Sequence, residues 1–199
     1  MNPVLTTKNK STLTKEELNE IIQLCIKRDK KGQELFFKHF YGKMMVVCTR
    51  YARDRDEAQD ILQDAFVKVF DNLEKYEVTG SIEGWVRRIF VNTAIDHYRK
   101  YKNKFNLEEE GNIEDEASFY NELEENDNIY SKIKSADILE AMETLSPAYK
   151  MVFNLYAIEN YTHKEVAEIL NISSGTSKSN YAKAKAKIKI VLENKFNLV

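Results

Sequence analysis

The sequence predicts an all-α protein: two small helical domains joined by an acidic linker, the second containing a helix-turn-helix. Three observations carry this expectation. The 199-residue chain has only six Gly and two Pro, too few to punctuate a series of short strands. Its apolar residues recur at i, i+3, i+4 over long stretches, with no alternating runs bounded by turns. Between Leu107 and Asp127 it carries ten Asp or Glu and no Lys or Arg, a composition that does not bury enough apolar surface to fold alone. With 43% hydrophobic and 31% charged residues, the whole falls in the soluble globular class, with room for one large or two small domains.

Residues 1–13 read as a loose lead-in. Thr14-Lys-Glu-Glu17 is a capping box ahead of Leu18, Ile21, Ile22 and Cys25, so a first helix runs from about Thr14 to Asp29. Gly32 interrupts the pattern. A second helix follows through Leu35, Phe36, Phe40, Met44, Val47 and Tyr51, with Phe36, Phe37, Phe40 and Tyr41 expected in the core. A third has its stripe at Ala58, Ile61, Leu62, Ala65, Phe66, Val69 and Phe70. Its opposite face carries Asp60, Gln63 and Asp64 within one turn, an acceptor-rich patch suited to basic side chains. A solvated surface helix shows the same arrangement, so the patch alone does not name a partner.

After a loop at Glu77 to Ser81, a fourth helix places Ile82, Trp85, Val86 and Ile89 on one face. Arg88, Asn92 and Arg99 share the other, with Asp96 at its edge. From Arg87 to Lys104 there are six Lys or Arg against one Asp, and cations beside an amide and aromatic rings suit phosphate contact together with base reading. Trp85 fits core packing as well as base stacking. This first domain ends near Lys104.

The second domain starts near Ile133 or Ala136, with a stripe at Ile138, Leu139, Met142 and Leu145. Ser146-Pro147 stops that helix and starts the next, which carries Val152, Leu155 and Tyr156. Thr162-His-Lys-Glu165 is another capping box, opening a helix with Val166, Ala167, Ile169 and Leu170. Asn171-Ile172-Ser173 turns the chain into a last helix from about Ser174 to Lys195. Small Ala167 permits close crossing, Asn171 suits the left-handed C-terminal position, and Ile172 plugs the angle: a helix-turn-helix. On the last helix Tyr181, Ala184, Ile188, Val191 and Leu192 face inward. Lys178, Lys185 and Lys189 cluster on another face, with Lys183 and Lys187 further round; after a helix-turn-helix such lysines suit phosphates.

Other function classes find no support. There is no run of eighteen apolar residues, and Met1 to Lys10 lacks an apolar signal core, so a cytoplasmic protein without membrane insertion is expected. Cys25 and Cys48 sit in apolar helical patterns and read as buried thiols. His39, His97 and His163 are scattered. No catalytic residues, metal ligands or cofactor site are assigned.

The blocks DEAQDILQDAFVKVFDNL and GWVRRIFVNTAIDHYRK, in this order and spacing, resemble region two of bacterial RNA polymerase sigma factors, specifically the small extracytoplasmic-function group. LSPAYKMVFNLYAIENYTHKEVAEILNISSGTSKSNYAKAKAKIK resembles region four of the same family. The resemblance implies a region-two domain at 1–104, an acidic linker at 105–132 that threads the polymerase cleft, and a region-four domain at 133–199. It implies a protein that binds core RNA polymerase and promoter DNA, directs promoter recognition and assists opening, with an anti-sigma factor as a partner the family commonly has. Asp60, Gln63 and Asp64 then contact the polymerase. Trp85, Arg88, Asn92, Asp96, Arg99 and Lys100, with the loop at 77–81, engage the minus-ten element; Ser174, Thr176, Lys178, Ser179, Lys183 and Lys185 engage the minus-thirty-five element.

Two departures stand out. Ser177 lies where many members have Val or Ile, and Lys183 and Lys185 fall in a segment that is often Arg-rich; Lys meets phosphate as a point charge and lacks the bidentate fork for guanine. Two rivals differ in class. A free-standing helix-turn-helix regulator accounts for 136–199 but leaves the first domain unexplained. A small helical nuclease needs a second carboxylate motif beside Asp60 and Asp64 to hold a metal.

Overall fold

The structure is a computed structural model that describes residues 13–76, 80–104 and 133–196. The acidic stretch at 107–127 and most of the loop at 77–81 lie outside the described residues. No strand occurs among the described residues. Among the described residues the N-terminal part has four helices: α1 (Lys15–Ile26), α2 (Lys30–Tyr51), α3 (Arg55–Asn72) and α4 (Ile82–Lys104), with a 3-10 turn at Leu73–Lys75.

Local sequence explains the helix starts. Thr14 caps α1 with the reciprocal Glu17 bond, Asp29 caps α2 by accepting from the Gly32 N–H, and Asp54 caps α3 by accepting from the Glu57 N–H. Each side chain satisfies a backbone donor that the first helical turn leaves orphaned. The α1–α2 corner turns through Arg28 in the left-handed region, φ 58°. Gly32, expected to interrupt the helical pattern, instead lies in the first turn of α2. It is required there by contact: a Cβ would sit 2.5 Å from the Leu24 Cβ and 3.2 Å from the Cys25 amide nitrogen.

The core of this bundle is aromatic. Phe36, Phe40 and Phe90 are fully buried, and Phe66 meets Phe90 edge to face at 5.1 Å, a geometry that matches the ring quadrupoles. Phe37 and Tyr41, expected inside, are at the surface, 36% and 41% exposed. They follow Phe36 and Phe40 by one position, so a 100° turn carries them off the buried stripe. Phe37 leans back over Phe66 at 4.6 Å.

The C-terminal part contains α5 (Ser135–Met142), α6 (Pro147–Phe153), α7 (His163–Leu170) and α8 (Ser174–Phe196). Between α6 and α7 the helix widens into a π turn at Asn154–Ile158, closed by the Glu159 N–H donating to the Asn154 carbonyl at 2.9 Å. Asn171 ends α7 at φ 54°, ψ 52°, the left-handed cap. Two apolar clusters result. Ala141, Met142 and Leu145 meet Ala184, Ile188 and Leu192 between α5 and α8, whereas Met151, Val152, Leu155, Val166 and Leu170 join the core of the N-terminal bundle. The C-terminal helices are thus packed directly on the N-terminal ones, α6 against α2.

Helix contact at Gly32 and its absence at Gly42 give opposite signs. Nothing lies within 4 Å of a Cβ at Gly42, so Gly42→Ala should stabilise by about 0.5–1 kcal/mol through helix propensity. Gly32→Ala gains the same propensity but drives a Cβ into α1, and should lower the urea midpoint measured by circular dichroism at 222 nm.

Candidate functional site

Three surfaces hold the residues singled out above, and a fourth, unexpected one lies between the two halves. On α3 the burial of Ala58, Ile61, Leu62, Ala65, Phe66 and Val69 turns Asp60, Gln63 and Asp64 outward, all exposed. Asp64 Oδ2 meets His97 Nε2 of α4 at 2.8 Å, which ties the acidic face to the neighbouring helix. The three therefore lie together as the spacing predicts.

On α4 the buried stripe is Val86, Phe90, Val91, Ala94 and Ile95. Ile82, Trp85 and Ile89 only border it, so the inward face is rotated about the helix axis from the expected one. Trp85 is half-buried, its ring 5.5 Å from that of Tyr76. Tyr76 in turn donates its hydroxyl to the Gly80 carbonyl at 2.6 Å, pinning the end of the loop beside it. Arg88, Asn92 and Lys100 are exposed. Asp96 accepts from Lys68 Nζ of α3 at 3.0 Å. Arg99, though exposed, donates from Nε to the Ile169 carbonyl in the last turn of α7 at 3.0 Å, where the helix dipole favours a cation. One member of the predicted set is thus already engaged by the other half of the protein.

On α8 the predicted residues divide between two faces. Ser174, Lys178 and Lys185 are exposed and follow i, i+4, i+11; Thr176, Ser179 and Lys183 are half-buried and follow i, i+3, i+7. Ser173 caps the helix, its hydroxyl accepting from the Thr176 N–H at 2.9 Å.

The departure at Ser177 has a structural counterpart. Ser177 is fully buried, and its hydroxyl meets His163 Nδ1 at 3.0 Å. His163, the first residue of α7, stacks on Tyr156 with centroids 3.9 Å apart. Burial first, and Lys178 second, lower the pKa of His163. A polar clasp thus stands between the two helices of the helix-turn-helix.

The fourth surface was invisible in sequence. Arg50 in the last turn of α2 donates to Glu159 Oε1 at 3.1 Å, and Arg87 of α4 donates to the same carboxylate through Nε at 2.9 Å and Nη2 at 2.8 Å. Arg50 and Glu159 are nearly dry, with side chains 8% and 10% exposed; Arg87 is open to 36%. Burial pulls Arg50 below the ordinary guanidinium value, whereas the bonds from Glu159 raise Arg87. Around them Lys150 Nζ reaches the Ala52 carbonyl at 2.8 Å, and Asn154 Nδ2 reaches the Arg50 carbonyl at 2.6 Å. Arg50 Nε and Tyr51 Oη are buried without a hydrogen-bond partner. No spacing rule connects Arg50 or Arg87 to Glu159, which follow one another by 109 and 72 positions.

Residues 36–104 match the family described as Sigma-70 region 2, and residues 135–188 match Sigma-70, region 4. The chain is 29% identical over 168 residues to the ECF RNA polymerase sigma factor SigW of Bacillus subtilis, covering 80% of this chain and 90% of that protein. It is 25% identical over 189 residues to the ECF RNA polymerase sigma-E factor of Haemophilus influenzae, covering 92% and 95%. To the RNA polymerase sigma factor SigV of Bacillus subtilis it is 30% identical over 142 residues, covering 71% and 80%.

Removing the clasp tests its weight. Ser177→Ala leaves His163 Nδ1 without its partner and should cost about 1 kcal/mol, read as a lower urea midpoint of the folded chain.

Proposed function

The chain belongs to the sigma-70 family of RNA polymerase sigma factors, in its extracytoplasmic-function group, and from that premise we propose how its surfaces divide the work. It is a sigma factor that binds RNA polymerase and directs promoter recognition. The observation that carries this is the tandem match to region 2 and region 4 in one chain; a free-standing helix-turn-helix regulator leaves 36–104 without a purpose. The functional units are residues 1–104, an acidic connector at 105–132, and residues 133–199. The protein works in the cytoplasm without catalytic chemistry of its own, and an anti-sigma factor is a further partner on family grounds.

Asp60, Gln63 and Asp64 take the polymerase. An exposed row of acceptors on a rigid helix suits basic side chains of a partner. Arg88, Asn92 and Lys100, with Trp85, Asp96 and Arg99 beside them, take the minus-ten element: the cations neutralise phosphate while the amide and the ring serve base edges and base faces. On α8, Ser174, Lys178 and Lys185 are the exposed residues that first meet the minus-thirty-five element, and Thr176, Ser179 and Lys183 flank them. Run-off transcription with core polymerase tests the whole reading; absence of promoter-dependent product would overturn it.

Replacing Asp60, Gln63 and Asp64 together with Ala should weaken holoenzyme formation more than about a hundredfold, since interface hot spots contribute about 2 kcal/mol or more each and 1.4 kcal/mol is tenfold. Size-exclusion binding to core polymerase, with helicity checked by circular dichroism, reads this directly. Unchanged binding would assign the polymerase contact elsewhere.

Arg88→Ala and Asn92→Ala should leave assembly intact and reduce promoter opening by about tenfold or more, the weight of one charge-assisted hydrogen bond. Permanganate footprinting on duplex and on pre-melted promoter separates the steps. Equal loss on both templates would place the defect in single-strand capture.

A further inference from the structure

The minus-ten and minus-thirty-five elements stand about 25 base pairs apart, roughly 85 Å at 3.4 Å per pair, whereas a compact chain of this length has a radius of gyration of only about 16 Å. The two halves, joined here through Arg50, Arg87 and Glu159, therefore separate before both elements are engaged. Separation removes the carboxylate that faces both guanidiniums. Arg87 already disfavours the charge of Arg50 in the packed state, and Arg50 Nε has no hydrogen-bond partner there. The like-charged pair that separation uncovers attracts a replacement anion. Carboxylate and phosphate are the two anions whose oxygens fit the guanidinium fork. Arg87 precedes Arg88 on α4, the helix to which promoter contact is assigned above, and its side chain is already partly open to solvent.

Resting on the sigma-factor reading, we propose that Arg50 and Arg87 form an anion site that Glu159 fills in the packed chain and that a backbone phosphate of promoter DNA fills once the halves separate. Glu159 then acts as an internal stand-in for phosphate. Arg99, held by the Ile169 carbonyl in the packed state, is released in the same movement. Opening then exchanges one anion for another at the same pair of guanidiniums.

Inorganic phosphate and promoter DNA probe the site separately. At matched ionic strength, replacing chloride by phosphate should leave the thermal midpoint of the wild-type full-length chain unchanged. It should raise that of Glu159→Gln, and the rise should vanish in Glu159→Gln combined with Arg87→Gln. In the second arm, holoenzyme carrying Arg87→Gln should lose about one unit from the slope of log binding constant against log salt on promoter DNA, the share of one phosphate contact. Arg87→Lys, which keeps the charge, should retain the slope. A wild-type slope in the Arg87→Gln holoenzyme would overturn the proposal while leaving the sigma assignment standing, and so would a Glu159→Gln chain that folds but shows no phosphate-specific rise. Loss of promoter binding by the wild-type holoenzyme would instead remove the sigma reading itself. If Glu159→Gln does not fold, the salt slope of Arg87→Gln decides alone, because Arg87 is the more exposed of the two arginines.

Discussion

The carboxylate of Glu159 ties the C-terminal half to two helices of the N-terminal bundle at once. It accepts from Arg50 at the end of α2 and from Arg87 on α4, so it fixes both distance and rotation between α6 and the N-terminal bundle. The π turn at Asn154–Ile158 is what presents it. Widening the helix by one residue lets Asn154 face inward toward the Arg50 carbonyl while Glu159 follows at the end of the turn. Lys150, one turn earlier, donates to the Ala52 carbonyl and so caps α2, whose last carbonyls have no partner within the helix. The orphaned end of one half is therefore satisfied by side chains of the other.

Charge pairs of this kind specify more than they stabilise. Desolvating Arg50 and Glu159 offsets most of what their attraction contributes, yet taking away one partner from such a pair costs about 3–5 kcal/mol because a buried charge is left alone. The attraction that holds the halves in place comes from Met151, Val152, Leu155, Val166 and Leu170 joining the N-terminal core. Polar groups then decide the register of that apolar contact. An interface of mixed character can open at small net cost, because its polar contacts can be exchanged for water or partner groups.

The same balance appears within the helix-turn-helix. A buried Ser177 joins His163 between the two helices, and the stacked Tyr156 ring covers the His163 side of the pair. Shape and hydrogen bonding together hold α8 against α7, leaving Ser174, Lys178 and Lys185 on an exposed face. Half of the α8 residues singled out for DNA contact share that face and half do not, because a 100° step per residue spreads six positions around the helix.

The sequence by itself determined the all-α class, the capping boxes at Thr14 and Thr162, the Ser146-Pro147 helix start and the left-handed Asn171, because each depends on residues within about four positions. It determined the exposed row of Asp60, Gln63 and Asp64 for the same reason: one helical period fixes both the buried stripe and its opposite. Only the tertiary structure decided that Gly32 belongs inside α2 against Leu24, that Phe37 and Tyr41 lie at the surface, and that the buried stripe of α4 runs through Phe90, Val91, Ala94 and Ile95. It alone decided that Ser177 meets His163, that Arg99 reaches α7, and that Arg50 and Arg87 converge on Glu159. Those outcomes depend on partners from other helices, and a helical period states which residues share a face without stating what that face will touch.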